Sequence, residues 1–422
     1  MNTPDSSTSL QGWLQWLEGL HPNTIELGLD RVRNVASRLP LDFADSRIVT
    51  IGGTNGKGST LTMLAGMLRK AGFSVATYTS PHLLVYNERV CLNGEMADDS
   101  VLCSAFQRVE QAREGVSLTY FEYGTLAALY LFARWKPDFI VLEVGLGGRL
   151  DAVNIIDPVV SILTNVALDH MDWLGNTRED IAYEKCGIFR PGKAAIFGER
   201  DMPHIIQQKA DEIGAGLYCC GREFDWTLSG NTWNWKGLDT AGNVVECLGL
   251  PLNDFPVANA ACALQAMYLL NVVPAWELVH KALEEATLPG RFQTIEYKGR
   301  KLILDVAHNP HAVLNLVANI RSRTPTGQAR IILGMLNDKD SHSVVNILAP
   351  VVSHLHAVSL GGERGAPAEI IYNHALEAGL TRVSSHENVI AALESALKQA
   401  ESAETVIITG SFFTVAAVLE LT

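Results

Sequence analysis

Positive charge is scarce in this 422-residue chain, where 33 lysines and arginines face 46 aspartates and glutamates, a formal net charge of -13. Nucleic acid and anionic lipid bind proteins through a basic surface that displaces their counterions, so neither is expected as a partner. A small phosphate-bearing molecule stays possible, because it needs only a local cluster of donors. Long hydrophobic runs are missing: no apolar stretch approaches the ~18 residues of a membrane span. Residues 1–9 lack the basic-then-apolar order of a secretory signal. Cysteine is sparse and poorly patterned. The seven residues Cys91, Cys103, Cys186, Cys219, Cys220, Cys247 and Cys262 form no Cys-x-x-Cys, and their odd number argues against a disulfide framework or zinc site. A cytoplasmic, reducing location follows as the expectation.

Hydrophobic residues make up 47% and charged residues 19%, the ordinary globular range, and the length suits two or three domains. Strand-length apolar runs repeatedly precede helix-like segments, which predicts an α/β fold of parallel strands covered by helices on both faces. Expected strands are 47–53, 73–79, 139–144 and 159–164, and the first leads into a helix with Leu61, Leu64, Ala65 and Leu68 on one face. Residues 221–245, with Trp226, Trp233 and Trp235 among polar residues, read as a small antiparallel insertion at a sheet edge. Leu288-Pro289-Gly290 breaks the pattern, after which strands are expected at 301–306, 330–334, 354–360 and 405–409. The domains are therefore placed at 1–287 and 288–422.

The sharpest motif is Gly52-Gly53-Thr54-Asn55-Gly56-Lys57-Gly58-Ser59-Thr60, between a strand and a helix. Backbone N–H groups and a helix amino end there can hold phosphate oxygens, and Lys57 adds a full charge. It departs from the strict G-x-x-x-x-G-K-[ST] string, since Gly58 separates the lysine from Ser59 and Ile51 takes the first glycine position. Glu143 ends a strand near this loop, where a carboxylate can hold Mg²⁺, although strand-end glutamates are more often solvated. His170 follows Asp169 after another strand, Lys185 lies on a helix that Thr177 and Asp180 would cap, and Asn259 stands where an N-cap could be.

The loop, Thr79-Ser80-Pro81-His82-Leu83, Leu118 to Thr125, Glu143 to Asp151, Asp169-His170, Glu184 to Ile188, Pro289-Gly290-Arg291-Phe292, Asp305 to His311 and Thr409 to Phe412 run through nearly the whole chain. In this order they resemble the folylpolyglutamate synthase family, relatives of the Mur ligases. The resemblance implies a P-loop-type parallel-sheet ATPase domain followed by a smaller Rossmann-like domain. It implies an ATP-dependent ligase that joins L-glutamate to dihydropteroate and to tetrahydrofolates. Thr54, Asn55, Gly56, Lys57, Gly58, Ser59, Asn259, Arg291 and Asp305 are then expected at ATP, with Arg291 neutralising charge when the domains close. Ser80, Glu143, His170 and a CO₂-carbamylated Lys185 are expected to hold two Mg²⁺ ions, with a monovalent cation as a further candidate. Lys57, Lys185, His170 and His308 are the expected catalytic residues. Ile25, Glu26, Leu27 and Gly28 in the Thr24 to Val32 segment, Thr119, Tyr120, Phe121, Glu122, Leu150 and Asp151 are expected at the pterin-bearing substrate. His308 and Ser411 are expected at glutamate. Gly147 to Ala152 sits closer to the dual-function bacterial enzymes, although Ala152-Val153-Asn154 replaces the usual Ala-Thr-Asn. A monomer is expected. The alternatives are a Mur-type cell-wall ligase, a single-activity folylpolyglutamate synthase, and a nucleotide-holding module without ligation.

Overall fold

The structure, a computed structural model, describes residues 4–422 apart from 6, 24, 325, 402 and 403. Its chain divides into two compact units, 1–286 and 287–422.

The first unit is built on an eight-stranded sheet. Across it run Glu95–Met96, Val90–Leu92, Val75–Tyr78, Phe139–Glu143, Arg47–Gly52, Val160–Leu163, Ala194–Phe197 and Gly216–Cys219. All neighbours are parallel except at the end formed by the first three. The central strand Arg47–Gly52 is buried along nearly all its length, as a strand covered on both faces should be. Helix Tyr120–Trp135 is buried continuously from Glu122 to Ala133. Its sequence explains this: with almost no charge on any face, it can only be a core helix. Leu61, Leu64, Ala65 and Leu68 of helix Lys57–Lys70 all face the interior.

The tryptophan-rich segment corrects one expectation. It forms a separate three-stranded antiparallel sheet, Asp225–Ser229, Thr232–Leu238 and Val244–Pro251, instead of extending an edge of the main sheet. Trp233 and Trp235 point inward, and Trp235 stacks on Tyr268 of helix Val257–Leu269 with ring centroids 5.0 Å apart. Stacking the Trp235 indole on that helix and burying Trp233 anchor the sheet on its own, so no pairing with the main sheet is needed.

The second unit carries six strands in the order Gln293–Tyr297, Arg300–Leu304, Val406–Thr409, Ala329–Leu333, Val352–Val358 and Val383–His386. Only the first pair is antiparallel. Its core is aliphatic, with Ile331, Leu333, Leu355 and Ile407 fully buried among flanking helices. The glycine loop, Ser80 and Glu143 in the first unit, and Asp305, His308 and Ser411 in the second, fall at or beyond the carboxyl ends of parallel strands, where open α/β sheets place their ligands.

Candidate active site

The glycine loop joins strand Arg47–Gly52 to helix Lys57–Lys70, and Gly56 supplies the turn with φ +81°. No side chain is tolerated there: a Cβ would stand 2.5 Å from Asn259 Oδ1. Asn259 is not an N-cap. It lies inside helix Val257–Leu269, buried, and its Nδ2 donates to Ser59 Oγ at 2.8 Å. Loop and helix are thus locked side by side. Gly58 opens the helix behind Lys57, its carbonyl accepting from Thr62 Oγ1 at 2.9 Å.

Thr164 and Asn165, which sequence reasoning passed over, hold the loop from the neighbouring strand. The Asn165 side chain accepts from Asn55 N–H at 2.9 Å and donates to Asn55 C=O at 2.8 Å, gripping both ends of one residue. Thr164 Oγ1 donates to the same carbonyl at 2.6 Å. Thr54 Oγ1 accepts from Ala167 N–H at 3.0 Å, and Thr54 N–H donates to Asn165 C=O at 3.1 Å. A Thr-Asn pair ending a strand beside a glycine loop was the available signal. The same connection then leads to exposed His170, whose N–H donates to Asp169 Oδ1 at 2.9 Å and whose φ is +51°.

Two lysines meet at one carbonyl. Lys57 Nζ donates to Gly53 C=O at 3.1 Å and Lys185 Nζ to the same oxygen at 3.0 Å. Lys185 ends helix Arg178–Lys185, which Thr177 and Asp180 cap reciprocally, and it is 5% exposed rather than a surface lysine. Burial, and then the charge of Lys57, push its ammonium down to about 7. Glu143, 6% exposed at the end of strand Phe139–Glu143, accepts from Ser80 N–H at 3.1 Å. Ser80 and Glu143 therefore share one corner. Among the described residues no three His, Cys, Asp or Glu side chains cluster as a metal site. A carboxylate and a hydroxyl nevertheless suit Mg²⁺, which takes few protein ligands and fills its shell with water and phosphate oxygens.

Three separated segments converge beyond this corner. Arg31 bonds to Glu26 and donates to Glu122 Oε1 at 3.1 Å, while Gly28 N–H reaches Leu150 C=O at 3.4 Å. Glu122 completes a capping box with Thr119. Ile25 and Leu27 are half-buried in the same segment, and Thr24 lies outside the described residues. Phe121 lies so close to Gly145 that a Cβ on the latter would be 2.6 Å from its ring. Half-buried Tyr120 stands next to it, its phenol pushed up to about 12 by burial. Asp151 is 3% exposed and accepts from Leu146 N–H at 2.8 Å and Val153 N–H at 3.0 Å. Burial raises its carboxyl to about 6. Its oxygens shape the 145–153 loop, so any influence on a ligand is exerted partly through that loop.

In the second unit, Asp305 follows strand Arg300–Leu304 and accepts from Phe292 and Ala307 N–H, both at 2.9 Å. Arg291 Cζ lies 5.1 Å from the Phe412 ring centroid, and the His308 ring is 6.3 Å from the same ring. His308 Nδ1 sits 2.8 Å from Val306 C=O, so that nitrogen carries the proton. Ser411 caps helix Phe412–Leu419, accepting from Thr414 N–H at 3.0 Å. Arg291, Asp305, His308 and the Ser411 end of the last helix thus gather at one end of this sheet.

A strand, glycine loop and helix with a buried lysine beside it, followed by a second α/β unit, define a Mur ligase architecture. The Mur ligase middle domain matches residues 51–223, and the Mur ligase glutamate ligase domain matches residues 290–412. The dihydrofolate synthase/folylpolyglutamate synthase of Escherichia coli is 42% identical over 419 residues, covering 99% of this chain and 97% of that one. The Haemophilus influenzae protein of the same name is 37% identical, covering 97% of each. A solved Escherichia coli FolC in complex with DHPP and ADP superposes with TM-score 0.93 at 41% identity, covering 99% of both chains. A bifunctional folylpolyglutamate synthase/dihydrofolate synthase with Mn, AMPPNP and L-glutamate bound gives TM-score 0.91 at 42% identity, covering 100% of this chain and 99% of that one. The chain belongs to the dihydrofolate synthase/folylpolyglutamate synthase family.

Proposed function

We propose that this protein is an ATP-dependent ligase that adds L-glutamate to dihydropteroate, giving dihydrofolate, and to reduced folates, giving folylpolyglutamates. The observation that carries this reading is family membership over the full chain combined with a glycine loop gripped by Asn165 and flanked by two lysines. A carboxylate is a poor electrophile at neutral pH, so amide formation needs an activated leaving group, and ATP supplies one as an acyl phosphate. Thr54 to Ser59 with Lys57 hold the phosphates through backbone N–H groups and one cation, while Asn259 and, from the second unit, Arg291 and Asp305 bind the rest of the nucleotide. The segments around Ile25, Thr119 to Glu122 and Leu150-Asp151 receive the pterin-bearing acid, and His308 and Ser411 orient glutamate, whose amine displaces phosphate.

Ser80 and Glu143 would hold one Mg²⁺, and His170 with Lys185 a second. Bound there, the ions would neutralise developing phosphate charge. A bare Lys185 ammonium opposes this, whereas a carbamate reverses its sign. The deep burial and low pKa of Lys185 favour the neutral amine that reacts with CO₂. Isotope-edited NMR of enzyme equilibrated with ¹³C-bicarbonate would reveal that carbamate, and its absence from active enzyme would remove this element. All seven cysteines are free, and no helix among the described residues is long and apolar enough to cross a membrane.

Product analysis tests the central reading. With ATP, glutamate and either dihydropteroate or tetrahydrofolate, each reaction should yield ADP, phosphate and a product heavier by one glutamyl residue. ATP hydrolysis indifferent to both acids, with no new amide by mass spectrometry, would refute it. Extension of tetrahydrofolate alone would favour the single-activity alternative.

A further inference from the structure

Arg89 ends the short turn Tyr86–Arg89 and is 8% exposed. Its Nε–H donates to His82 Nδ1 at 2.8 Å, and its Cζ stands 5.5 Å from the Tyr86 ring centroid and 5.6 Å from that of Tyr120. Among the described residues no carboxylate pairs with this cation. Glu88, its chain neighbour, spends both oxygens on the N–H groups of Leu83, Leu84 and Val85. A guanidinium taken out of water without a counter-charge is costly, and aromatic faces recover only part of that cost. Such a cation waits for an anion.

Its surroundings say which anion. Thr79 N–H donates to Arg89 C=O, and the next residue, Ser80, gives its N–H to Glu143. On the other side Tyr120 adjoins Phe121, whose ring lies 6.0 Å from that of Tyr78. Arg89 therefore stands between the Ser80–Glu143 corner and the aromatic wall. Arginine can only donate, so His82 Nδ1 must accept, and the imidazole proton sits on Nε2 as a second, neutral donor.

We infer that Arg89 is a specificity-determining residue that holds the carboxylate of the pterin-bearing acceptor, with His82 as the accompanying donor. This rests on the acceptor reading proposed above.

The test compares dihydropteroate with its carboxamide, which keeps the pterin and the aromatic ring but loses the charge. Binding of each is measured by calorimetry for the full-length protein and for Arg89→Gln. A charge-assisted, forked contact gives tenfold or more. The wild type should prefer the carboxylate, and Arg89→Gln should reduce that preference at least about tenfold while carboxamide and ATP binding stay within about twofold. Preference retained in a folded Arg89→Gln overturns the assignment. If that variant does not fold, Arg89→Lys, which keeps the charge but not the fork, is read instead: a fall in preference of about threefold or more supports the assignment, and none overturns it. A wild type that neither binds dihydropteroate nor converts it defeats the acceptor reading itself, whereas normal conversion with an indifferent Arg89→Gln defeats only this inference.

Discussion

Replacing Asn165 with alanine should weaken ATP binding although its amide carries no charge. Its side chain supplies the acceptor for Asn55 N–H at 2.9 Å and the donor for Asn55 C=O at 2.8 Å. The carbonyl keeps Thr164 Oγ1, but the N–H loses this acceptor, in a setting where Asn165 is 6% exposed. Two net hydrogen bonds at about 1 kcal/mol each come to about 2 kcal/mol. If the loop relaxes away from its phosphate-holding shape by that amount, ATP affinity falls about 30-fold. The expected outcome in steady-state kinetics is a large rise in KM for ATP with KM for dihydropteroate within about twofold. Thermal unfolding provides the companion measurement, since part of the loss should appear as a lower Tm. Asn165→Asp keeps the acceptor but brings an anion to the phosphates, so it should bind ATP no better than alanine. An Asn165→Ala enzyme with near-normal KM for ATP and unchanged Tm would show that the grip on Asn55 does not shape the loop.

Two further outcomes follow from other parts of the molecule. Gly56→Ala should abolish measurable ligation in an assay of ADP release, because φ of +81° disfavours any Cβ and the added atom would displace Asn259 from Ser59. Near-wild-type turnover would refute this. In the second unit, buried His356 accepts from Arg330 Nη1 at 3.2 Å and adjoins His386 at 3.0 Å, with Ser384, the stacked ring of His354 and the Arg330–Glu404 pair around it. Burial, then the neighbouring histidines, hold it down at about 3. The folded state therefore refuses a proton that the unfolded chain takes up below about pH 6.5. Its contribution to stability is complete above that value and is lost as pH falls toward 3, by about 2 kcal/mol at pH 5. Calorimetric unfolding should show this decline in the wild type and a shallower one in His356→Gln, and equal slopes in the two proteins would refute it.

Much of the architecture was legible in residue order. The strand at 47–53, the apolar helix face at Leu61, Leu64, Ala65 and Leu68, the Thr177–Asp180 cap and the restart after Pro289-Gly290 are all local patterns, set by period and turn chemistry. The strands Gln293–Tyr297 and Val383–His386 were not anticipated, because they are short and only half-buried, and alternation that weak does not stand out. The glycine loop and the acid at the end of the third predicted strand announced a phosphate site for the same local reason: the residue types that chemistry needs lie within one turn or one strand end.

Other features belong to the tertiary structure alone. Nothing in the local sequence says that Lys57 and Lys185, 128 positions apart by their numbering, share the Gly53 carbonyl, or that Asn259 lies against Gly56. Asn165 looks like an ordinary strand-end polar residue until its amide is seen holding Asn55, and Arg89 is one arginine among many until burial strips it of a counter-charge. The separate tryptophan sheet is of the same kind, since whether a hairpin joins an edge or packs on a helix depends on which surface is left uncovered. Sequence by itself determined the elements and the residue types offered to a ligand, because periodicity and backbone chemistry act over a few residues. Which of those residues meet, and with what charge, only the packed chain decided, because burial and long-range contact set them.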